Sequence, residues 1–276
     1  MSCHRFAVKA LELDPTLVAA RSFSVSADPD NWSWVREIEA IEEAAATAPN
    51  DIRILDSLAY DFTQTGYFTE ALEHARRIIE VDPLSPIGYL REAVALSALG
   101  RREEAIASWT RAAEASERPV EFTEMLDRVA HGEYEIAITG LERLYESIGL
   151  DPAEVRPFVQ SARDPDTGKD FLAGYIKEIK ESAASVQEIM TAKFWYLAFG
   201  YVDEFWQEIE DTAALSTSSW TDADVLEHAC RFLAVTRCAA SPRAIAYAKQ
   251  NQMTELWDTR GPPDRCHKDS GDWVCE

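Results

Sequence analysis

The chain has 276 residues, with hydrophobic residues at 46% and charged residues at 28%, an ordinary balance for a folded protein. Its formal net charge is −22 and its pI near 4.6, so its surface repels phosphates and is not expected to bind DNA, RNA or anionic lipid. No apolar stretch approaches the ~20 residues that span a bilayer, and Met1–Phe6 lacks the apolar core and cleavage site of a signal peptide, so a soluble chain is expected.

Frequent Ala and Glu with few Gly favour helix. A period is visible at once: Pro15, Pro49 and Pro83 recur every 34 residues, each after a segment that reads as a helix end. Cys3, Ala7 and Ala10 take second-helix positions of a unit whose first helix is missing. The array is therefore expected to begin on a half unit and to show an apolar face there. From Val18 to Pro49 a short first helix meets the polar loop Asp28-Pro29-Asp30-Asn31-Trp32. A second helix follows, carrying Trp34, Ile38, Ile41, Ala44 and Ala45.

The clearest unit runs from Ile52 to Pro83. Leu55, Leu58, Ala59 and Phe62 share one helical face. Gly66 ends that helix, and Tyr67 and Phe68 open a second one with Ala71, Ala75 and Ile78 inward. Small Ala59 and Ala71 suit the closest approach of two antiparallel helices. The next unit repeats the pattern 34 residues on, with Tyr89, Ala93, Leu96, Gly100, Ala105, Trp109 and Ala112. Gly132, Tyr134, Ala137, Leu141 and Leu144 mark a degenerate unit. Helices are expected at 152–162 and 170–183 around a polar turn, Asp164 to Asp170. A further unit follows, with Ile189, Ala192, Tyr196, Leu197 and Gly200, then Val202, Phe205, Ile209 and Ala213. Helices near 221–237, 242–251 and 254–259 come next, and an irregular tail from Gly261 to Glu276. This divides the chain into a repeat array (1–118), divergent helix pairs (119–215) and C-terminal helices with a cysteine-containing tail (216–276).

The repeated pattern of large, small, large, Gly, aromatic, Ala, Ala and Pro resembles tetratricopeptide repeats. Asp30-Asn31-Trp32-Ser33-Trp34 and Val81-Asp82-Pro83-Leu84-Ser85-Pro86-Ile87 are similar to the C-terminal repeat regions of bacterial winged-helix transcriptional regulators and adenylate-cyclase-like signalling proteins. The resemblance covers 1–118 best. It implies an all-α fold, an α-α superhelix, acting as an interaction or sensory module without cofactors. It also implies a cytoplasmic chain if complete, or a periplasmic one if it is the C-terminal part of a membrane-anchored regulator. The open half unit makes a homodimer through the N-terminal end an expectation of the same kind.

In such arrays the concave side is lined by first helices. Positions between the packing residues then place Arg53, Asp56, Tyr60, Gln64, Ile87, Arg91 and Val94 along a groove for a protein or peptide. The family's Lys/Asn clamp for a terminal carboxylate is not reproduced. The alternative is a small-ligand pocket within 170–238, lined by Phe171, Tyr175, Phe194, Tyr196 and Trp220. Cys266 and Cys275 leave two readings open: a disulfide pinning the tail in an oxidising compartment, or two free thiols. Cys3, Cys230 and Cys238 read as packed small apolar residues. Cys266, His267 and Cys275 lack a fourth partner for zinc. The acidic run from Asp164 fails the calcium-loop spacing, since Lys169 stands sixth and Tyr175 twelfth. Trp195 and Trp206 are expected to clamp the helix pair at Gly200. No P-loop, HExxH, nucleophile elbow or dinucleotide glycine run is present, and none of the five His has a partner at motif spacing. An enzyme is therefore not expected.

Overall fold

A computed structural model describes residues 3–14, 17–28, 31–181, 194–215 and 238–276. The expected helix near 221–237, part of the unit from Ile189, Cys230 and Trp220 lie outside the described residues. The described chain is mostly helical, with one small hairpin, and its many packed helices are consistent with a helical repeat. The first nine helices are α1 (Cys3–Leu13), α2 (Val18–Ser26), α3 (Trp34–Thr47), α4 (Ile52–Thr65), α5 (Phe68–Val81), α6 (Pro86–Ala98), α7 (Arg102–Ala115), α8 (Phe122–Ala130) and α9 (Tyr134–Ser147). From α1 to α7 each helix packs on the next, α8 packs on α9, and α4 also touches α6.

Local chemistry sets the helix ends. Ser33 accepts from the Arg36 N–H to start α3, and Asp51 accepts from the Arg53 N–H to start α4. Gly66 ends α4 with φ of 89°, and the Tyr67 N–H reaches back to the Phe62 carbonyl at 2.8 Å. Gly100 repeats the device at φ 73°, with Arg101 N–H on the Leu96 carbonyl at 2.8 Å. Both glycines occupy the left-handed region that side chains with a Cβ avoid.

Packing follows the small-and-large pattern. Ala59, Ala71, Ala75, Ala93, Ala105 and Ala112 are fully buried, and Leu58, Phe62, Ile78, Leu96 and Trp109 fill the space around them. Truncating one of those large residues to Ala removes about 3–5 kcal/mol. At the other extreme, Phe6, Leu13 and Phe23 on α1 and α2 are mostly exposed.

After α9 come a short 3₁₀ turn (Pro152–Glu154), α10 (Val155–Ser161) and α11 (Pro165–Glu181). The segment Asp164 to Asp170 is thus not a turn between helices. Pro165 fits the first helical position, where its missing N–H costs nothing, and the helix begins there. Residues 194–198 form the described part of α12, followed by α13 (Val202–Leu215), α14 (Pro242–Gln250) and α15 (Met253–Arg260).

The tail is not irregular. Cys266–Asp269 (β1) and Asp272–Cys275 (β2) pair antiparallel, with Cys266 opposite Cys275 and Asp269 opposite Asp272. Ser270 and Gly271 form the two-residue turn with φ of 52° and 93°, the signature of the hairpin turn that matches strand twist.

The buried residues form two cores. One joins α3–α7 to Met253, Leu256, Trp257, Trp273 and Cys275; the other joins α8–α13 to Phe68 of α5, Val94 and Ala98 of α6, Cys238, Ala244 and Tyr247. Helix α14 belongs to both, since Ala248 faces the first core and Ala244 and Tyr247 the second. The C-terminal helices and hairpin therefore share the hydrophobic core of the repeat.

Candidate functional site

Helices α4 and α6 bring part of the expected groove together. Arg91 donates to Asp56 at 2.6 Å, and its guanidinium lies 4.7 Å from the centre of the Tyr60 ring. Asp56, Tyr60, Ile87 and Arg91 are all half-buried. Arg53 is exposed and turns back to Asp51 at 2.8 Å, which also caps α4. Gln64 and Val94 are buried, at 1% and 5% exposure, so these two do not face solvent.

Beneath this face lie acids that helical spacing alone does not single out. Asp61 and Glu37 are buried. Burial, with the nearby Glu37 charge, pushes the Asp61 carboxyl well above its ordinary range, and Arg91 offsets only part of this. Among the described residues, Asp61 Oδ2 and both amide atoms of Gln64, one helical turn on, have no hydrogen-bond partner.

Along one edge of the array the C-terminal segment meets three helix ends. Helix termini leave backbone carbonyls and N–H groups without intrahelical partners. Trp257 Nε1 donates to the Thr65 carbonyl at 2.9 Å at the end of α4. Asp264 accepts from the Thr69 N–H at 2.8 Å and its hydroxyl at 2.9 Å at the start of α5, where no side chain of the local cap does so. Arg265 donates to the Ala98 carbonyl at 3.3 Å at the end of α6. Donors sit at the C-terminal ends and an acid at the N-terminal end, the sense that the helix dipoles favour. Tyr67 adds a hydroxyl bond to the Gly261 carbonyl at 2.8 Å, and Arg260 lies over Phe62 and Tyr67 while pairing with Glu42.

A cavity of about 420 Å³ lies where this edge passes α8, lined by Ser97, Leu99, Gly100, Arg102, Asp127, His131 and Arg265. Arg102 is held by Asp127 at 2.8 Å and by both oxygens of Glu133 at 2.9 and 3.0 Å. Arg128 binds Glu133 and Glu124. These two arginines hold the Glu133 carboxyl down at about 2. His131 shares its Nδ1 with the Asp127 carbonyl at 2.8 Å.

The aromatic side chains of the second core pack on one another. Phe158 of α10 sits 4.9 Å from Tyr175, 4.9 Å from Trp195, 5.4 Å from Phe199 and 6.1 Å from Phe171. Phe158 thus contacts both Phe171 and Tyr175. Phe194 is partly buried, and Tyr196 is buried, its hydroxyl pushed up to about 12. Trp195 and Trp206 take different neighbours: Trp195 packs on Phe122 and Phe158, Trp206 on Phe205 and Tyr247.

Cys266 and Cys275 are joined by a disulfide, which leaves no thiolates there for zinc. Cys238 is fully buried, in keeping with its reading as a packed residue, but it is also disulfide-bonded, which that reading did not include. Among the described residues no group of three or more His, Cys, Asp or Glu could hold a metal ion, and no helix is long and apolar enough to cross a membrane. Compared with protein-family models and with curated proteins, the chain matches none.

Proposed function

We propose that this chain is a tetratricopeptide-like superhelix that holds a polypeptide partner, as the interaction or sensory arm of a signalling or transcriptional regulator. The observation that carries this reading is the Asp56–Arg91–Tyr60 cluster, which spans two neighbouring first helices of the 34-residue repeat. Asp56 and the Tyr60 ring fix the Arg91 guanidinium, so little side-chain freedom is lost when it meets a partner. Tyr60 and Ile87 add apolar area beside that charge, the pairing found at interface hot spots.

A peptide library displayed on phage and selected on the immobilised full chain tests this. Enriched peptides should bind the parent and lose at least ~10-fold in affinity on the Tyr60→Ala, Ile87→Ala variant, about 1.4 kcal/mol or more. Unchanged far-UV circular dichroism establishes that the variant is folded. Peptides that bind parent and folded variant equally would overturn the reading.

A further inference from the structure

We propose that the cavity at the α6–α7 turn binds the carboxylate of a small organic acid, held by the Arg265 guanidinium. Three observations lead there. The first is which groups of the lining are already engaged. Asp127, almost wholly buried, turns its two oxygens to Arg102 and His131. Glu133 holds Arg102 and Arg128, and Glu124 holds Arg128. At the end of α6 the Ala95, Leu96 and Ser97 carbonyls accept from the N–H groups of Leu99, Arg101 and Gly100, and the Ala98 carbonyl accepts from Arg265. These acceptors are taken, and the charged lining is two guanidiniums against one acid.

The second is what Arg265 has left to give. Its Nη1 donates to the Ala98 carbonyl at a long 3.3 Å. That leaves Nε and Nη2, whose N–H groups lie side by side and match the two oxygens of a carboxylate. The same fork of Arg53 holds Asp51, and that of Arg101 holds Glu104. Among the described residues no carboxylate takes the fork of Arg265, although the chain has 49 acids to 27 lysines and arginines.

The third is how Arg265 is held. Its φ is 63°, a left-handed conformation uncommon outside glycine. Pro262 and Pro263 precede it and the disulfide-bonded Cys266 follows, while its carbonyl accepts from the Glu276 N–H at 2.9 Å. The backbone is fixed before a ligand arrives, so less freedom is lost on binding. A cavity of about 420 Å³ has room for a small molecule beyond its carboxylate, and Leu99 gives it an apolar wall. The chain's net charge of −22 disfavours multiply charged anions such as phosphates. At physiological salt that field is screened beyond about 8 Å, so a single carboxylate in contact with Arg265 answers mainly to the guanidinium. This site is separate from the Tyr60–Arg91 face and does not depend on it.

The test uses the full-length chain and succinamate, which carries one carboxylate and one carboxamide. Affinities come from saturation-transfer NMR titrations in a buffer free of other carboxylates. Succinamide, equal in shape and neutral, is the control. The parent is expected to bind succinamate at least ~10-fold more tightly than succinamide. Arg265→Gln keeps a donor for the Ala98 carbonyl without the fork or the charge, and should lose that preference. Arg265→Lys keeps the charge without the fork, and should bind succinamate at least ~10-fold more weakly than the parent. Far-UV circular dichroism establishes that each variant is folded, and if one is not, the other carries the test. A parent that ignores succinamate or takes succinamide equally would overturn the proposal. So would a folded variant of either kind that binds succinamate as well as the parent.

Discussion

Trp257→Ala is the sharpest probe of whether the C-terminal segment belongs to the core of the repeat. Trp257 is 1% exposed. It donates to the Thr65 carbonyl at 2.9 Å across 192 residues, and its ring meets that of Trp273 edge-on at 5.3 Å. Truncation opens a large cavity, strands a helix-end carbonyl and ends the ring contact, for a total loss of about 3–5 kcal/mol. Trp257→Phe keeps most of the volume but not the hydrogen bond, and should lose about 1–2 kcal/mol. Urea unfolding followed by far-UV circular dichroism gives both values. Hydrogen exchange should then show the amides of Gly66 to Thr69 losing protection in Trp257→Ala. A loss below about 1 kcal/mol, with those amides still protected, would mean that α15 merely rests on the surface and that the shared core is wrong.

Three further outcomes are expected. Cys266→Ser with Cys275→Ser opens a short loop and should lower stability by about 2–3 kcal/mol in the same urea experiment, and reductant should lower the parent by at least as much, since it also opens the bond at Cys238. Glu133 has a folded-state carboxyl depressed from 4.5 to about 2, so its stabilisation is present above pH ~4.5 and fades as pH falls toward 2. Discounted for its partial exposure, Glu133→Gln should cost about 1–2 kcal/mol at pH 7 and nothing near pH 2, read from urea midpoints at both. Asp61 has the opposite sign: its carboxyl is raised, so the parent loses stability as pH rises above ~3.8, and Asp61→Asn should be more thermally stable at pH 7 with the gap closing toward pH 3.5.

What the sequence shows of this fold is what is local. Gly66 and Gly100, the fully buried alanines and the aromatics around them fall within one 34-residue unit, where helical periodicity decides which side chains meet. The same periodicity places Asp56 and Tyr60 on one face, and Arg91 joins them in the structure. It fails for Gln64 and Val94 because their burial depends on what packs over them. Asp61 is hidden for a related reason: its environment comes from Glu37 and Arg91 on other helices. The hairpin did leave a signal, since Ser270-Gly271 is a turn dipeptide and Trp273 and Cys275 alternate with exposed residues. A segment of four-residue strands is simply too short for that alternation to stand out.

The edge contacts of the tail leave no such signal, and charge alone explains why. With 49 acids to 27 lysines and arginines, a basic side chain has carboxylates available almost everywhere, and most exposed pairs contribute only ~0–1 kcal/mol. A helix-end carbonyl shut away from water without a partner costs about 1–3 kcal/mol. Arg265 accordingly goes to the Ala98 carbonyl, and Trp257, a neutral donor, serves the same purpose at Thr65. Asp264 takes the one kind of helix end that suits an acid, the N–H groups at the start of α5. The tail is thus placed by three backbone termini that any sequence would present in the same form. Its position follows from the spacing of helix ends in a 34-residue repeat, which composition and motif do not encode.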